Sequence, residues 1–152
     1  MHVGLISDTH GLLRPEALAA LGGADHLVHA GDIGAPAVLD ALRALAPLTA
    51  VRGNNDRAAW AAAIPDTAAV RLGGAWVYVV HDLATLAVDP VAGGFRVVIS
   101  GHSHQPRIEQ RHGVLYVNPG AAGPRRFRLP VSVARLEVDG ADVRARIETL
   151  AV

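Results

Sequence analysis

The chain has 152 residues, 51% of them hydrophobic, and a formal net charge of zero. This composition favours one globular domain, residues 1-152, with a sizeable core. The neutral charge argues against strong binding to nucleic acid or to an anionic membrane. The absence of cysteine excludes disulfides and thiolate metal sites. No apolar run is long enough to span a membrane and no signal peptide is evident, so we expect a cytoplasmic protein.

The first part of the chain predicts alternating strands and helices. The predicted order is strand Met1–Ile6, helix 14–23, strand 26–32, helix 35–47, strand 48–56 and helix 56–65. Short apolar runs indicate the strands, and proline near a helix start and glycine near its end indicate the helices. Asp56 is a plausible N-cap for the last of these helices.

The second part of the chain predicts mainly strands. They lie in 67–82, where Gly73-Gly74 joins two strands, in 96–101, and in two hairpins over 106–120 and 131–150. The expected hairpin turns are His112-Gly113 and Asp139-Gly140. The segment 83–95 predicts a short helix followed by a loop. This order of elements favours an α/β fold in which two mixed sheets pack face to face with helices outside.

Potential metal ligands follow five of the predicted strands. They are, in chain order, Asp8 and His10, Asp32, Asn54, His81, and His102 with His104. Each of these residues also has a purely structural interpretation, such as a turn residue, an N-cap or a core histidine. However, ligands of open α/β sheets bind outside the carboxyl ends of the strands. His102 and His104 are two residues apart, so both imidazoles can face one site. Together these residues predict a metal site at one sheet edge.

The residue types suit two metal ions. Nitrogen and oxygen ligands without sulfur favour Mn, Fe, Ni, Co or Zn over Mg or Ca. A carboxylate can bridge two cations, and two ions about 3.5–4 Å apart suit chemistry on phosphate esters.

The order D-x-H, G-D, G-N-x-D, H, G-H-x-H resembles that of the calcineurin-like metallophosphoesterases. The chain length and the NPG motif at Asn118-Pro119-Gly120 resemble the small phosphodiesterase subfamily, which includes the phosphoesterase-like subunit of the retromer coat. The resemblance extends from Asp8 to the C-terminal hairpin. It implies a four-layer α/β/β/α sandwich of two mixed β-sheets flanked by helices, and it implies a homodimer or homotetramer as a common assembly.

The resemblance also implies a ligand set and a reaction. The first ion would be held by Asp8, His10, Asp32 and His104, and the second by Asp32, Asn54, His81 and His102. Asp32 would bridge the two ions, of which manganese is the expected identity. The implied enzyme hydrolyses phosphodiesters, and some small monoesters, by in-line attack of a metal-bound hydroxide that lies beside Asn54, His81 and Asp32. The alternative is a non-catalytic metal-binding scaffold like the retromer subunit. The complete ligand set favours the enzyme.

Two polar residues near the predicted ligands have two interpretations each, and a third has one. Asp56 supports a ligand histidine or caps a helix. Asp82 stands where many family members have glycine, and it orients a ligand histidine or, as we favour, caps the next helix. His29 is expected in the layer under the site, behind the ligands.

The sequence also offers candidates for contacts with substrate. Asn54, Arg57 and Arg125 could bind its phosphate, whereas Arg126 is interpreted as solvated surface. Asn55 stands where larger family members have a histidine that assists the leaving group. An amide cannot donate a proton as imidazolium does.

Overall fold

The computed structural model describes residues Met1–Val152, which form two five-stranded sheets. The strands are β1 His2–Ile6, β2 His26–His29, β3 Leu48–Ala50, β4 Thr67–Leu72, β5 Ala75–Val80, β6 Phe95–Ile99, β7 Arg107–Arg111, β8 Val114–Asn118, β9 Ser132–Asp139 and β10 Asp142–Thr149. The helices are α1 Pro15–Leu21 and α2 Pro36–Arg43, and two 3₁₀ helices span Ala59–Ala63 and Leu83–Thr85. None of the helices has the length and apolar character needed to cross a membrane.

Both sheets are mixed. The first has the order β10-β9-β1-β2-β3 and the second β4-β5-β6-β8-β7. In the first sheet β1, β2 and β3 are parallel, and in the second β5, β6 and β8 are parallel. Parallel neighbours require crossover connections, which α1 and α2 provide between β1, β2 and β3. The carboxyl ends of the parallel strands therefore open at a shared edge of each sheet.

The sheets pack against each other through an apolar core of branched side chains such as Leu5, Val79 and Ile99. The two α-helices cover the outer face of the first sheet. Gly4 permits this, because a Cβ there would overlap Leu21 of α1 and Leu27 of β2. The predicted α/β/β/α layering of two mixed sheets is confirmed.

The layer outside the second sheet is thin. It consists of the 3₁₀ helix Leu83–Thr85 and the adjoining loop, because only a short segment joins β5 to β6. Leu83, Leu86 and Phe95 pack over Tyr78 and its apolar neighbours, and the rest of this outer face has no helical cover.

Some predicted boundaries differ from the structure. The third strand ends at Ala50, and the predicted helix 56–65 is a 3₁₀ helix that begins after Ala58. The turn at His112-Gly113 is confirmed, since both residues have positive φ. The C-terminal hairpin turns at 140–141, one residue later than predicted, because Asp139 pairs with Asp142.

Candidate metal centre

The seven predicted ligands all lie in loops at the carboxyl ends of parallel strands. Asp8 and His10 follow β1, Asp32 follows β2, Asn54 follows β3, His81 follows β5, and His102 and His104 follow β6. The two sheets pack with these ends adjacent, so the side chains converge into two sets of donor atoms.

The first donor set consists of Asp8, His10 and His104. The Oδ1 atom of Asp8 lies 3.3 Å from His104 Nε2 and 3.7 Å from His10 Nε2. The two Nε2 atoms are 3.3 Å apart. Asp8 Oδ1 is buried, yet it has no hydrogen-bond partner. A buried carboxylate oxygen without a partner is costly, and this oxygen faces two imidazole nitrogens. The arrangement fits a cation between the three atoms.

The second donor set consists of Asp32, Asn54, His81 and His102. His81 Nε2 lies 3.3 Å from Asp32 Oδ2 and 3.3 Å from His102 Nδ1. His102 Nδ1 is 3.2 Å from Asn54 Oδ1. The other ring nitrogen of His81, Nδ1, is 2.7 Å from the carbonyl oxygen of Ala30. It donates to that oxygen, which leaves the Nε2 lone pair free for a metal, as is usual for ligand histidines.

Both carboxylates lie between the two sets. Asp32 Oδ2 is 3.7 Å from His10 Nε2 as well as 3.3 Å from His81 Nε2. Asp8 Oδ1 is 4.0 Å from His81 Nε2, and Asp8, Asp32 and His81 form a second group with metal-ligand spacing. The donor chemistry of both sets, nitrogen with oxygen and no sulfur, fits divalent transition-metal ions.

The backbone is strained at the same residues. Seven non-glycine residues have positive φ, and five of them are predicted ligands: Asp8, His10, Asp32, His102 and His104. Such conformations cost about 1–3 kcal/mol each and cluster at functional sites. Left-handed residues at the strand ends turn these side chains sharply into the site.

Asn55 holds the Asp32 carboxylate in place. Its backbone N–H donates to Asp32 Oδ1 and its side-chain amide donates to Asp32 Oδ2, both at 3.0 Å. Burial raises the pKa of Asp32, but the neighbouring His81 imidazole and the hydrogen bond from the Asn55 N–H outweigh this and lower it. Asp32 is therefore ionised. From the sequence, Asn55 was notable only because it stands where larger family members have a histidine. Its bond to Asp32 depends on the approach of two separate loops.

Asp8 is also held in its ionised form. Ser7 Oγ donates to Asp8 Oδ2 at 2.6 Å, and the His102 N–H donates to the same oxygen at 3.0 Å. Burial raises the pKa of Asp8, but the nearby His10 imidazole and the hydrogen bond from Ser7 lower it further than burial raises it. The Asp8 carboxylate in turn raises the pKa of His10.

Asp56 joins the loops that carry Asp32 and Asn54. It is 4% exposed, and its carboxylate accepts the N–H groups of Ile33, Gly34 and Gly53 at 3.0, 3.0 and 2.9 Å. The predicted N-cap is wrong, because the 3₁₀ helix has Ala58 at that position without a side-chain cap. No hydrogen bond joins Asp56 to a histidine, so its support of the site acts through the backbone.

The NPG motif holds the loop of the two C-terminal histidines. The Asn118 side-chain amide donates to the Gly101 carbonyl at 2.9 Å and to Ser103 Oγ at 3.1 Å, and Asn118 Oδ1 accepts the Gly120 N–H at 2.9 Å. The motif contributed only to the family resemblance at the level of sequence. In the structure it fixes the segment between His102 and His104.

Asp82 caps the following 3₁₀ helix and also lies near His102 without a hydrogen bond to it. Its Oδ1 accepts the Ala84 N–H at 3.0 Å, so the predicted cap is confirmed. Its Oδ2 lies 3.8 Å from Nε2 of His102. The carboxylate thus faces the ring nitrogen of His102 that points away from the donor set.

His29 lies between the loops after β1 and β2. It is fully buried, its Nδ1 accepts the Gly31 N–H at 3.1 Å, and its Nε2 donates to Thr9 Oγ1 at 3.0 Å. Burial lowers its pKa to about 4. His29 is therefore a neutral structural residue with both ring nitrogens occupied, and it is unavailable as a proton donor to substrate.

The three arginines named in the sequence analysis have different environments in the structure. Arg57 Nε donates to the Asn54 carbonyl at 3.0 Å, which places it beside the second donor set. Arg125 donates to the Val152 carbonyl at 3.0 Å and is thereby held at the C-terminus. Burial lowers the pKa of His104, and the positive charge of Arg126 lowers it further. Arg126 is exposed, as interpreted above, and its charge still acts on the pKa of His104.

Comparison with known proteins agrees with this geometry. Residues 1–141 match the calcineurin-like phosphoesterase superfamily domain. A protein of Methanothermobacter thermautotrophicus named "Probable metallophosphoesterase" is 34% identical over 97% of this chain and 91% of its own. An archaeal phosphodiesterase structure superposes with a TM-score of 0.80 at 24% identity, covering 97% of this chain and all of the other. Vps29 of Entamoeba histolytica complexed with Zn²⁺ gives 0.81 at 23% identity, covering 99% and 93%. These two structures show a shared fold.

The match to the family extends over almost the whole chain, and the archaeal relative is similar over nearly its full length. The chain belongs to the calcineurin-like phosphoesterase superfamily.

Proposed function

We propose that this protein hydrolyses phosphodiesters with two divalent transition-metal ions, manganese being the preferred one. The observation that carries the proposal is the convergence of seven side chains into two donor sets that share the space around Asp8 and Asp32. We assign the first ion to Asp8, His10, Asp32 and His104, and the second to Asp32, Asn54, His81 and His102, with Asp32 as the bridge.

The chain's own residues supply charge, orientation and phosphate contacts. When bound, two such ions neutralise phosphate oxygens and lower the pKa of a water molecule. Asp32 accepts a hydrogen bond from the Asn55 N–H, and His81 donates one to the Ala30 carbonyl. Held in this way, the two side chains fix the geometry at the reacting phosphorus. Asn54 borders the same space. Arg57 and Arg126 add positive charge at either side, where phosphate oxygens bind.

The experiment is a matrix of metals and substrates on chelator-stripped protein. Mn, Zn, Ni, Fe and Co are each tested with aryl diesters, monoesters and cyclic nucleotides. We expect metal-dependent hydrolysis, fastest for diesters. Hydrolysis in ¹⁸O water puts one label directly into the product phosphate, and a chiral thiophosphate diester reacts with inversion. Absence of hydrolysis with every metal, or retention of configuration, contradicts the proposal. The exposed Asp66 provides Asp66→Asn as a control that keeps full activity.

A non-catalytic scaffold is the second candidate. The likeness to Vps29 complexed with Zn²⁺ favours it, because a shared fold and a bound metal are compatible with a role in assembly. Metal binding therefore does not separate the two candidates. The scaffold predicts two bound ions with no hydrolysis of any ester in the matrix.

A further inference from the structure

A cavity of about 250 Å³ lies beside the metal centre, on the outer face of the second sheet. His102 and Asn118 border it at the end nearest the donor sets, Tyr116 of β8 lines it, and Arg107, Glu109 and Arg111 of β7 form its far wall. The cavity exists because the short segment after β5 covers the β5 and β6 side of this face and leaves the β8 and β7 side open.

The wall formed by β7 carries three charged side chains, and one carboxylate oxygen among them takes no part in an ion pair. Residues 107, 109 and 111 alternate along the strand and so share one face. Arg107 and Arg111 both bind Oε2 of Glu109, at 2.8 and 2.9 Å. Neither ion pair uses the other oxygen, Oε1. The Arg111 guanidinium also lies 4.9 Å from the centre of the Tyr116 ring. This places an acceptor, several N–H donors and an aromatic ring around one space.

The charges and the size of the cavity define its ligand. Asp82 and Glu109 balance Arg107 and Arg111, so the cavity has no net attraction for an anion or a cation. Most of its lining residues are polar, so their side chains can form hydrogen bonds with a hydroxylated group. A volume of about 250 Å³ leaves room for a small organic group. A neutral, hydroxylated group the size of glycerol or a pentose fits these conditions.

We propose that this cavity binds the glycerol- or pentose-sized alcohol of a phosphodiester whose phosphate lies at the metal centre. One hydroxyl donates to Glu109 Oε1, and a neighbouring hydroxyl accepts from the guanidinium of Arg107 or Arg111. This inference names the substrate class of the centre and rests on the function proposed above.

The test uses diesters that share a 4-nitrophenyl leaving group and differ in the second alcohol: ethyl, 2,3-dihydroxypropyl, 2-carboxyethyl or phenyl. For the wild type we expect kcat/KM to be about tenfold higher for the dihydroxypropyl ester than for the ethyl ester, the effect of one hydrogen bond to a charged group. The carboxyethyl and phenyl esters gain no such advantage. Equal values for the dihydroxypropyl and ethyl esters in the wild type overturn the inference.

Glu109→Ala provides a second test, in which two substrate preferences should change in opposite directions. It removes the acceptor and leaves two guanidinium groups without their counterion. The ratio of kcat/KM for the dihydroxypropyl ester to that for the ethyl ester should fall to about one. The corresponding ratio for the carboxyethyl ester should rise. Glu137→Ala is the matched control, because Glu137 also pairs with an arginine, Arg144 at 3.0 Å, but lies on β9 of the other sheet. An unchanged preference in Glu109→Ala contradicts the inference, and two metal equivalents per chain show that the variant is folded.

A binding measurement separates this inference from the proposed function. If the metal-loaded wild type hydrolyses none of the esters, the proposed function fails, and the cavity is then tested by NMR titration of the zinc-loaded protein. Glycerol 1-phosphate should bind about tenfold more tightly than ethyl phosphate to the wild type, and equally tightly to Glu109→Ala. Equal affinities in the wild type overturn the inference on the cavity by themselves.

Discussion

Asp56 contributes both to the stability of the fold and to metal affinity, so one substitution at this residue tests both. Its carboxylate is 4% exposed and accepts three backbone N–H groups. Two of these, from Ile33 and Gly34, belong to the loop after Asp32, and the third belongs to Gly53, directly before Asn54. Asp56→Ala therefore releases two ligand-bearing loops from each other without removing a ligand.

The magnitude follows from the three hydrogen bonds. A buried polar group left without a partner costs about 1–3 kcal/mol. The Ile33 N–H bond is buried, while those from Gly34 and Gly53 are partly exposed, so water replaces part of the latter two. We expect Asp56→Ala to lower the free energy of unfolding by about 3–5 kcal/mol. Loss of such a supporting contact typically reduces metal affinity by about 10–100-fold, here at the second donor set.

Two measurements on the same protein test this. Urea unfolding of the chelator-stripped protein gives the free energy of unfolding, and zinc titration by calorimetry gives the affinity. Asp56→Asn, which keeps one acceptor, should fall between wild type and Asp56→Ala. Asp66→Ala is the control, because Asp66 is exposed and its pair with Arg52 contributes at most about 1 kcal/mol. A loss below about 1 kcal/mol in Asp56→Ala, or an unchanged zinc affinity, refutes the reasoning.

Three further changes have defined outcomes. Gly53→Ala should weaken zinc binding in calorimetry, because its Cβ would overlap Asp32. Gly22→Ala should leave zinc binding unchanged, because its Cβ would make only a tight contact of 3.3 Å with the Ala19 carbonyl at the end of α1. The chelator-stripped wild type should lose about 2 kcal/mol more unfolding free energy than His29→Gln between pH 7 and pH 5. The lowered pKa of His29, about 4, makes the unfolded chain take up the proton first, so stability present above about pH 6.5 is lost as the pH falls. Rates for aryl alkyl phosphates should fall steeply as the pKa of the leaving group rises, because the Asn55 amide is bound to Asp32 and supplies no proton. A nearly flat dependence would reveal an unrecognised general acid, and Asn55→His should help the poorest leaving groups most if its imidazole reaches them.

The convergence of the predicted ligands could be inferred from the sequence, because their placement follows from topology. Parallel strands open at one sheet edge, so polar residues after successive strands must meet there, as Asp8, Asp32 and His81 do. The pairing of His102 with one donor set and His104 with the other was implied by the family resemblance. The structure is compatible with that assignment.

The supporting contacts could not be predicted, because each joins segments far apart in sequence. Asp56 next to a short helix resembles an N-cap, and only the approach of the loop after β2 gives its carboxylate three other donors. Arg125 and Arg126 are adjacent and chemically identical, so the sequence does not indicate which of the two charges affects the pKa of His104. The thin layer over the second sheet results from the short segment after His81, and the cavity beside it depends on the pairing of β7 with β8.

The most direct test of the dinuclear centre is the number of metal ions per chain, measured by elemental analysis after manganese reconstitution and removal of free metal. The seven converging side chains predict two equivalents for the wild type. They predict close to none for Asp32→Ala, because its carboxylate borders both donor sets. One equivalent or only traces in the wild type, or two tightly bound equivalents in Asp32→Ala, contradicts the dinuclear assignment.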